Sequence, residues 1–148
     1  MSRDNVDGAN GGHGYVLDDQ IGFLLRRAYQ RNSTLFAALV PGKLTAMQFA
    51  VLFRLAENGP ASQNLLGRSV AMDAATTKGV VDRLIARSLL QVGPDPDDRR
   101  RHLVSLTPAG TTLIDKAVAA AVEVSETTLA PLREKERETL LRLLRKIS

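Results

Sequence analysis

Between residues 89 and 106 two short extended stretches, 89–92 and 102–106, flank the segment GPDPDDRRR, and no other feature restricts the fold of this chain so strongly. The second stretch alternates, with Leu103 and Ser105 out of phase with Val104 and Leu106, as a half-buried strand does. Its partner is separated from it by one Gly and two Pro, which punctuate a loop. Two strands joined by a charged loop make a hairpin, and the segments around it read as helix.

Before the hairpin, apolar residues recur at helical spacing from Leu17 through Ile21, Leu24, Leu25, Ala28, Leu35, Phe36 and Leu39, and Pro41-Gly42 stops them. Thr45 and Gln48 form a capping-box signature for a second helix carrying Phe49, Leu52, Phe53 and Leu55, ended by Asn58-Gly59-Pro60. Ser62 caps a short third helix with Leu65 and Leu66, in which Gly67 is unfavourable on propensity. Asp73 caps a fourth, 73–86, with Val80, Val81, Leu84 and Ile85 inward and a small, polar beginning in Ala74, Ala75, Thr76, Thr77 and Lys78. After the hairpin, Thr107-Pro108 opens a long helix toward Leu129. Pro131 interrupts it, and a last amphipathic helix contains Leu140, Leu141, Leu143, Leu144 and Ile147. The expected fold is mainly α, with four helices, a two-stranded wing and two more helices.

At 148 residues the chain is long enough for one domain, or one domain with a helical extension, and too short for two enzyme-sized cores. The absence of Cys excludes disulfides and thiol chemistry, and with only His13 and His102 no metal site is expected. Aromatic residues make up 4%, too few for stacking bases of a single strand. A phosphate loop, a serine elbow and a His-Glu metal pair are all missing, and Glu57, Asp82 and Glu134, Glu136 and Glu138 converge with no base. Neither enzymatic activity nor a cofactor is therefore expected. Lacking a long apolar run or a leader-like start, the chain reads as soluble and cytoplasmic, with no membrane partner. Its first 14 residues hold four of eleven glycines and read as a flexible arm.

Three short helices followed directly by a hairpin form a unit over 45–106 in which the helix at 73–86 is placed to enter a major groove of double-stranded DNA. Small residues and hydroxyls near its start permit close approach to bases or phosphates, and the early amides favour a phosphate. The net charge of +4 permits an anionic partner. Arg99, Arg100 and Arg101 at the loop reach a minor groove or flanking phosphates. Among the acids beside them, Asp98 is the preferred partner for an arginine that holds the loop, and Arg100 the preferred groove residue. The alternation does not settle which of the three points at DNA. The candidate DNA-contacting set is Ser62, Asp73, Ala74, Thr76, Thr77, Lys78, Arg83, Asp98, Arg99, Arg100 and Arg101. A protein-binding winged helix without specific DNA binding is the rival reading, and steep salt dependence of duplex binding discriminates the two.

Residues 62–110 resemble the DNA-binding lobe of the MarR family of bacterial regulators. LLGRSVAMDAATTKGVVDRLIARSLL is similar to its helix-turn-helix. The more specific likeness is Asp95-Pro96, Asp98-Arg99-Arg100, Leu106-Thr107 and Gly110, matching the wing and the start of the following helix. The resemblance implies a homodimer joined by the first and last two helices, and repression of a palindromic site until a small aromatic acid or phenol releases it. Amphipathic helices at both ends independently call for a partner, and a symmetric dimer is the simplest closure. The chain then divides into the arm (1–14), an N-terminal dimerisation helix (15–44), the DNA-binding lobe (45–106) and C-terminal dimerisation helices (107–148).

The family's effector pockets lie where the first helix meets the second and fifth, which places pocket candidates at Phe23, Arg26, Arg27, Tyr29, Met47, Phe49 and Phe53. An aromatic carboxylate wants one arginine and a flat apolar wall. Phe49 and Phe53 also fit plain core, and Arg26 or Arg27 a solvated surface. YVLDDQIGFLLRRAYQRN resembles regulators of nicotinate degradation, which implies a hydroxylated pyridine carboxylate such as 6-hydroxynicotinate as effector and His13 as a residue that folds over the pocket.

Overall fold

The computed structural model describes residues 12–148, and the arm expected over 1–14 lies, up to residue 11, outside the described residues. Six α-helices and one hairpin follow in the order α1 (Ile21–Leu39), α2 (Ala46–Asn58), α3 (Gln63–Ser69), α4 (Ala74–Ala86), β1 (Leu90–Pro94), β2 (His102–Leu106), α5 (Pro108–Leu129) and α6 (Glu134–Ile147). This is a winged helix-turn-helix flanked by N- and C-terminal helices. No described helix is long and apolar enough to cross a membrane.

The helix starts follow from their caps. Thr45 and Gln48 bond reciprocally, each backbone amide to the other's side chain at 3.1 Å. Ser62, Asp73 and Thr107 each accept the amide three residues on, from Leu65, Thr76 and Gly110. These bonds satisfy donors that a helix start leaves orphaned. The first helix begins later than its apolar pattern does. Leu17–Asp19 form a 3-10 turn, and Gln20 is extended, with its side-chain amide donating to the Val16 carbonyl at 2.9 Å.

One core unites the lobe. Val51, Leu52 and Leu55 of α2, Leu66 of α3, Leu84 of α4, Leu90 and Val104 of the hairpin and Ile114 and Ala117 of α5 are all buried. The inward stripe of α4 is Thr77, Val80, Val81 and Leu84, whereas Ile85 is 37% exposed. Spacing explains the difference from expectation: 77, 80, 81 and 84 lie within one helical face, and Ile85 falls on its margin. Gly67, unfavourable in isolation, is required by the crossing of α3 over α4, because a Cβ there would stand 2.7 Å from the Thr77 hydroxyl oxygen. Between these helices Ala71 takes a left-handed φ of 55° and Met72 donates to the Gly67 carbonyl at 3.0 Å, closing the turn.

The hairpin is antiparallel with Leu90 opposite Leu106 and Pro94 opposite His102. β1 thus extends beyond residue 92, and the loop shortens to 95–101. Pro94 is tolerated because each strand of a two-stranded sheet is an edge. The segment before α3 adds to the hairpin through Ala61 and Val104, whose amides and carbonyls bond reciprocally at 2.8 and 3.1 Å. At the other end, Thr107 donates its hydroxyl to the Ser88 carbonyl at 2.6 Å and its amide to the Leu89 carbonyl at 3.1 Å. Gly110 lies directly over that carbonyl, where a Cβ would meet the oxygen at 2.2 Å.

Two measurements check this account. Gly110→Ala must displace backbone and is expected to cost ~1–3 kcal/mol in denaturant unfolding; an unchanged midpoint would refute the close approach. Asp73 has its carboxyl held below the ordinary carboxylate range, first by the Thr76 amide and then by the Thr76 hydroxyl. A depressed folded-state value means stability present above the unfolded-state value and lost as pH falls through the folded one. Asp73→Ala is therefore expected to lower the melting temperature at neutral pH, with the gap to wild type narrowing toward acid pH.

Candidate nucleic-acid interface and effector cleft

The outward side of α4 is what its inward stripe leaves over. Asp73, Ala74, Lys78 and Arg83 are exposed and Thr76 is half-buried. The Arg83 guanidinium folds back toward the helix start, its Nη1 lying 3.7 Å from where a Cβ on Gly79 would be. Lys78 pairs with Asp82 one turn on at 2.8 Å, an exposed contact that a phosphate can outcompete. Thr77 does not belong to this surface. It is 1% exposed and its hydroxyl donates to the Asp73 carbonyl at 2.7 Å, so it serves the α3 crossing. Ser62 is half-buried with its hydroxyl committed to capping α3. Because Asp73 also takes the Thr76 amide, that amide is removed from the donors at the start of α4.

Acidic residues shape the wing without pairing with arginine side chains. Asp98 Oδ1 accepts the Arg100 backbone amide at 3.0 Å, and Asp95 Oδ1 accepts the Asp97 amide at 2.9 Å. The Asp95 amide in turn donates to the Arg101 carbonyl at 2.9 Å, closing the loop. These are Asx-type turns, in which a short carboxylate satisfies backbone two residues on. The expectation of an Asp98–arginine ion pair is corrected accordingly. Among the described residues, Arg99, Arg100 and Arg101 make no ion pair and all three are exposed. β1 packs on α4, and the wing's cations sit on the loop that follows β1.

A cleft of about 540 Å³ opens between α1 and the start of α2. Tyr29 and Phe36 from α1 and Met47 from α2 provide flat and apolar wall, and Lys43 and Thr45 provide polar groups. Of the residues expected from sequence, Tyr29 and Met47 line it, whereas Phe23, Arg26, Arg27, Phe49, Phe53 and His13 do not. Phe49 instead backs the wall, edge-on to Phe36 with centroids 5.6 Å apart, and Phe53 stacks on Phe49 at 6.0 Å. Arg27 lies over the Phe23 ring at 6.0 Å and borders a separate depression on the outer side of α1. Arg26 and His13 are exposed. The cation lining the cleft is Lys43, in the loop after Pro41-Gly42. A lysine in a helix-to-helix loop has no periodic signature, which is why pattern reasoning passed over it.

Comparison with known proteins bears on both surfaces. The chain is 44% identical over 135 residues to the transcriptional repressor NicR of Pseudomonas putida, covering 90% of this chain and 85% of that protein. A solved structure from Pseudomonas aeruginosa is 54% identical and superposes with a TM-score of 0.85, over 90% of this chain and all of that one. Bordetella bronchiseptica BpsR, solved in a study of how 6-hydroxynicotinic acid regulates its DNA binding, is 44% identical with a TM-score of 0.83 over 90% of this chain and 96% of its own. The model of the MarR family matches residues 44–102, from the cleft to the wing. With its helix-turn-helix, arginine-bearing wing and flanking helices, the chain belongs to the MarR family of winged helix-turn-helix DNA-binding regulators.

Proposed function

We propose that this regulator is a cytoplasmic homodimeric repressor, released from a palindromic operator when a small aromatic carboxylate enters the cleft beside α1. The DNA contacts are assigned to Ala74, Thr76, Lys78 and Arg83 on α4 and to Arg99, Arg100 and Arg101 on the wing. Exposed apolar side chains support the dimer. Ile21, Leu24, Leu25, Val122, Leu140, Leu141 and Ile147 all face solvent in the single chain, on α1, α5 and α6. Leu25, Leu140 and Leu141 line one shared depression, exposed apolar surface of this kind marks an interaction site, and an isologous pairing covers both copies at once.

One observation carries the effector assignment: an aromatic-walled cleft with a single lysine among its lining residues. A planar acid lays its ring against Phe36 and Tyr29 and sets its carboxylate on Lys43, a charge-assisted contact at the mouth of an apolar pocket. 6-Hydroxynicotinate has this shape and charge, and the likeness to BpsR, whose DNA binding that acid regulates, supports it as the first compound to test.

Selection of bound duplexes from a random library, followed by titration of 6-hydroxynicotinate, tests the reading; it requires an enriched palindrome and release by the acid. Arg100→Ala is expected to weaken duplex binding ~10-fold or more and to reduce the salt slope by about 1, with sizing unchanged. Equal affinity at moderate salt would remove Arg100 from the interface. Lys43→Ala is expected to weaken 6-hydroxynicotinate binding ~10-fold or more by calorimetry, the loss typical of a charged hydrogen bond, with duplex affinity retained.

A further inference from the structure

Arg87 ends the recognition helix and reaches back to the cleft. It is the C-cap of α4, with its own amide donating to the Arg83 carbonyl at 3.2 Å. Its guanidinium donates to two successive carbonyls of the α1–α2 loop, those of Gly42 and, at 3.5 Å, Lys43. A planar fork with several donors suits this task, since it holds two acceptors in one geometry. The cation also sits favourably at the negative end of the helix dipole.

The loop it grips forms the rim of the cleft. Lys43, Leu44 and Thr45 line that cavity. Gly42 and Lys43 are consecutive left-handed residues, with φ of 83° and 51°. For lysine that conformation carries a steric cost, so contacts elsewhere must hold it. Two neighbours do so. Arg87 bonds the carbonyls, and Leu113 of α5 packs so tightly that a Cβ on Gly42 would come within 2.6 Å of it. On the far side, Ser88 and Leu89 follow Arg87 directly, and their carbonyls anchor Thr107 at the foot of the wing. The rim, the end of α4 and the root of β1 are thereby joined by one chain of contacts.

We infer that Arg87 is a positioning residue that couples occupancy of the cleft to DNA binding, through its bonds to the Gly42 and Lys43 carbonyls. Arg87 is not among the residues that line the cleft, and it lies outside the set proposed to contact DNA. This rests on the effector reading above for the identity of the ligand, but not for the mechanical link. A ligand that draws Lys43 toward its carboxylate moves the carbonyls that Arg87 holds, and the recognition helix and wing shift as one body. Coupling of this kind is a free energy shared by the two sites, so it is measured as the ratio of duplex affinities without and with ligand.

The test compares wild type, Arg87→Gln and Arg87→Lys as full-length protein, using the selected duplex and 6-hydroxynicotinate. In wild type the ratio should fall in the ~5–150-fold range usual for allosteric pairs, and Arg87→Gln should bring it to ~2 or below. Duplex affinity without ligand, and ligand affinity without duplex, should each stay within ~2-fold of wild type. Arg87→Lys, which keeps the charge and one donor, should give an intermediate ratio and provides the readout should Arg87→Gln fold poorly. A wild-type ratio in both variants overturns the inference. Amide hydrogen exchange supplies an arm free of effector: duplex binding should slow exchange at Lys43, Leu44 and Thr45 in wild type and leave it unaltered in Arg87→Gln. Should 6-hydroxynicotinate fail to bind wild type, the effector reading falls by itself, and this exchange result alone decides the coupling. Protection of the loop that persists without Arg87 refutes it.

Discussion

The carbonyl of Leu89 is the point on which the geometry of the lobe turns. It accepts the Thr107 amide, and Gly110 rests against it more closely than any side chain permits. With the Thr107 hydroxyl on the Ser88 carbonyl, this brings the outgoing end of α4 and the returning end of the hairpin to one place. Three directions are set there: the axis of α4, the projection of the wing and the start of α5. Buried polar backbone must be paired, so a junction made of carbonyls and a single threonine leaves little freedom to slide.

That junction sets α4 and the wing side by side, the arrangement on which the proposed DNA contacts rest. Helix α4 spends Thr77, Val80, Val81 and Leu84 on the core and presents its other side. In the wing, carboxylates are directed at backbone amides, which shapes the loop while the arginines beside them stay available. With the wing against DNA as proposed, these acids cost little, because their charge is partly met by the peptide groups they hold. In the proposed complex, arginine charge acts on phosphates irrespective of sequence, whereas the small side chains of α4 allow the approach that base reading needs.

The cleft lies between α1 and the start of α2. Its aromatic wall is part of the packing, since Phe36 is buried and Phe49 lies edge-on behind it. Its rim, in contrast, is a strained loop held by contacts to α4 and α5. A stiff wall and a tensioned rim are a suitable pair for a ligand site that must also report occupancy, because strain is released or reinforced where the ligand's charge arrives.

Local rules account for most of the order of elements. Thr45 with Gln48, Ser62, Asp73 and Thr107-Pro108 are caps whose bonds reach only three residues, so their effect is legible in one dimension, as is the charged hairpin between them. Where partners are distant in sequence, that reading failed. Thr77 looked like a surface hydroxyl until α3 crossed over it, and Gly67 looked like a weakness until that crossing required it. Arg26, Arg27 and Phe53 suited a ligand by type, yet the path of α1 and α2 gave the cleft to Tyr29, Phe36, Lys43 and Met47. The amino-acid sequence by itself determined the helices, the wing and the family, because caps, breakers and hydrophobic period act over a few bonds. Only the tertiary structure decided which side chains are buried, which line the cleft and which link it to α4, because those depend on close approaches between segments tens of residues apart.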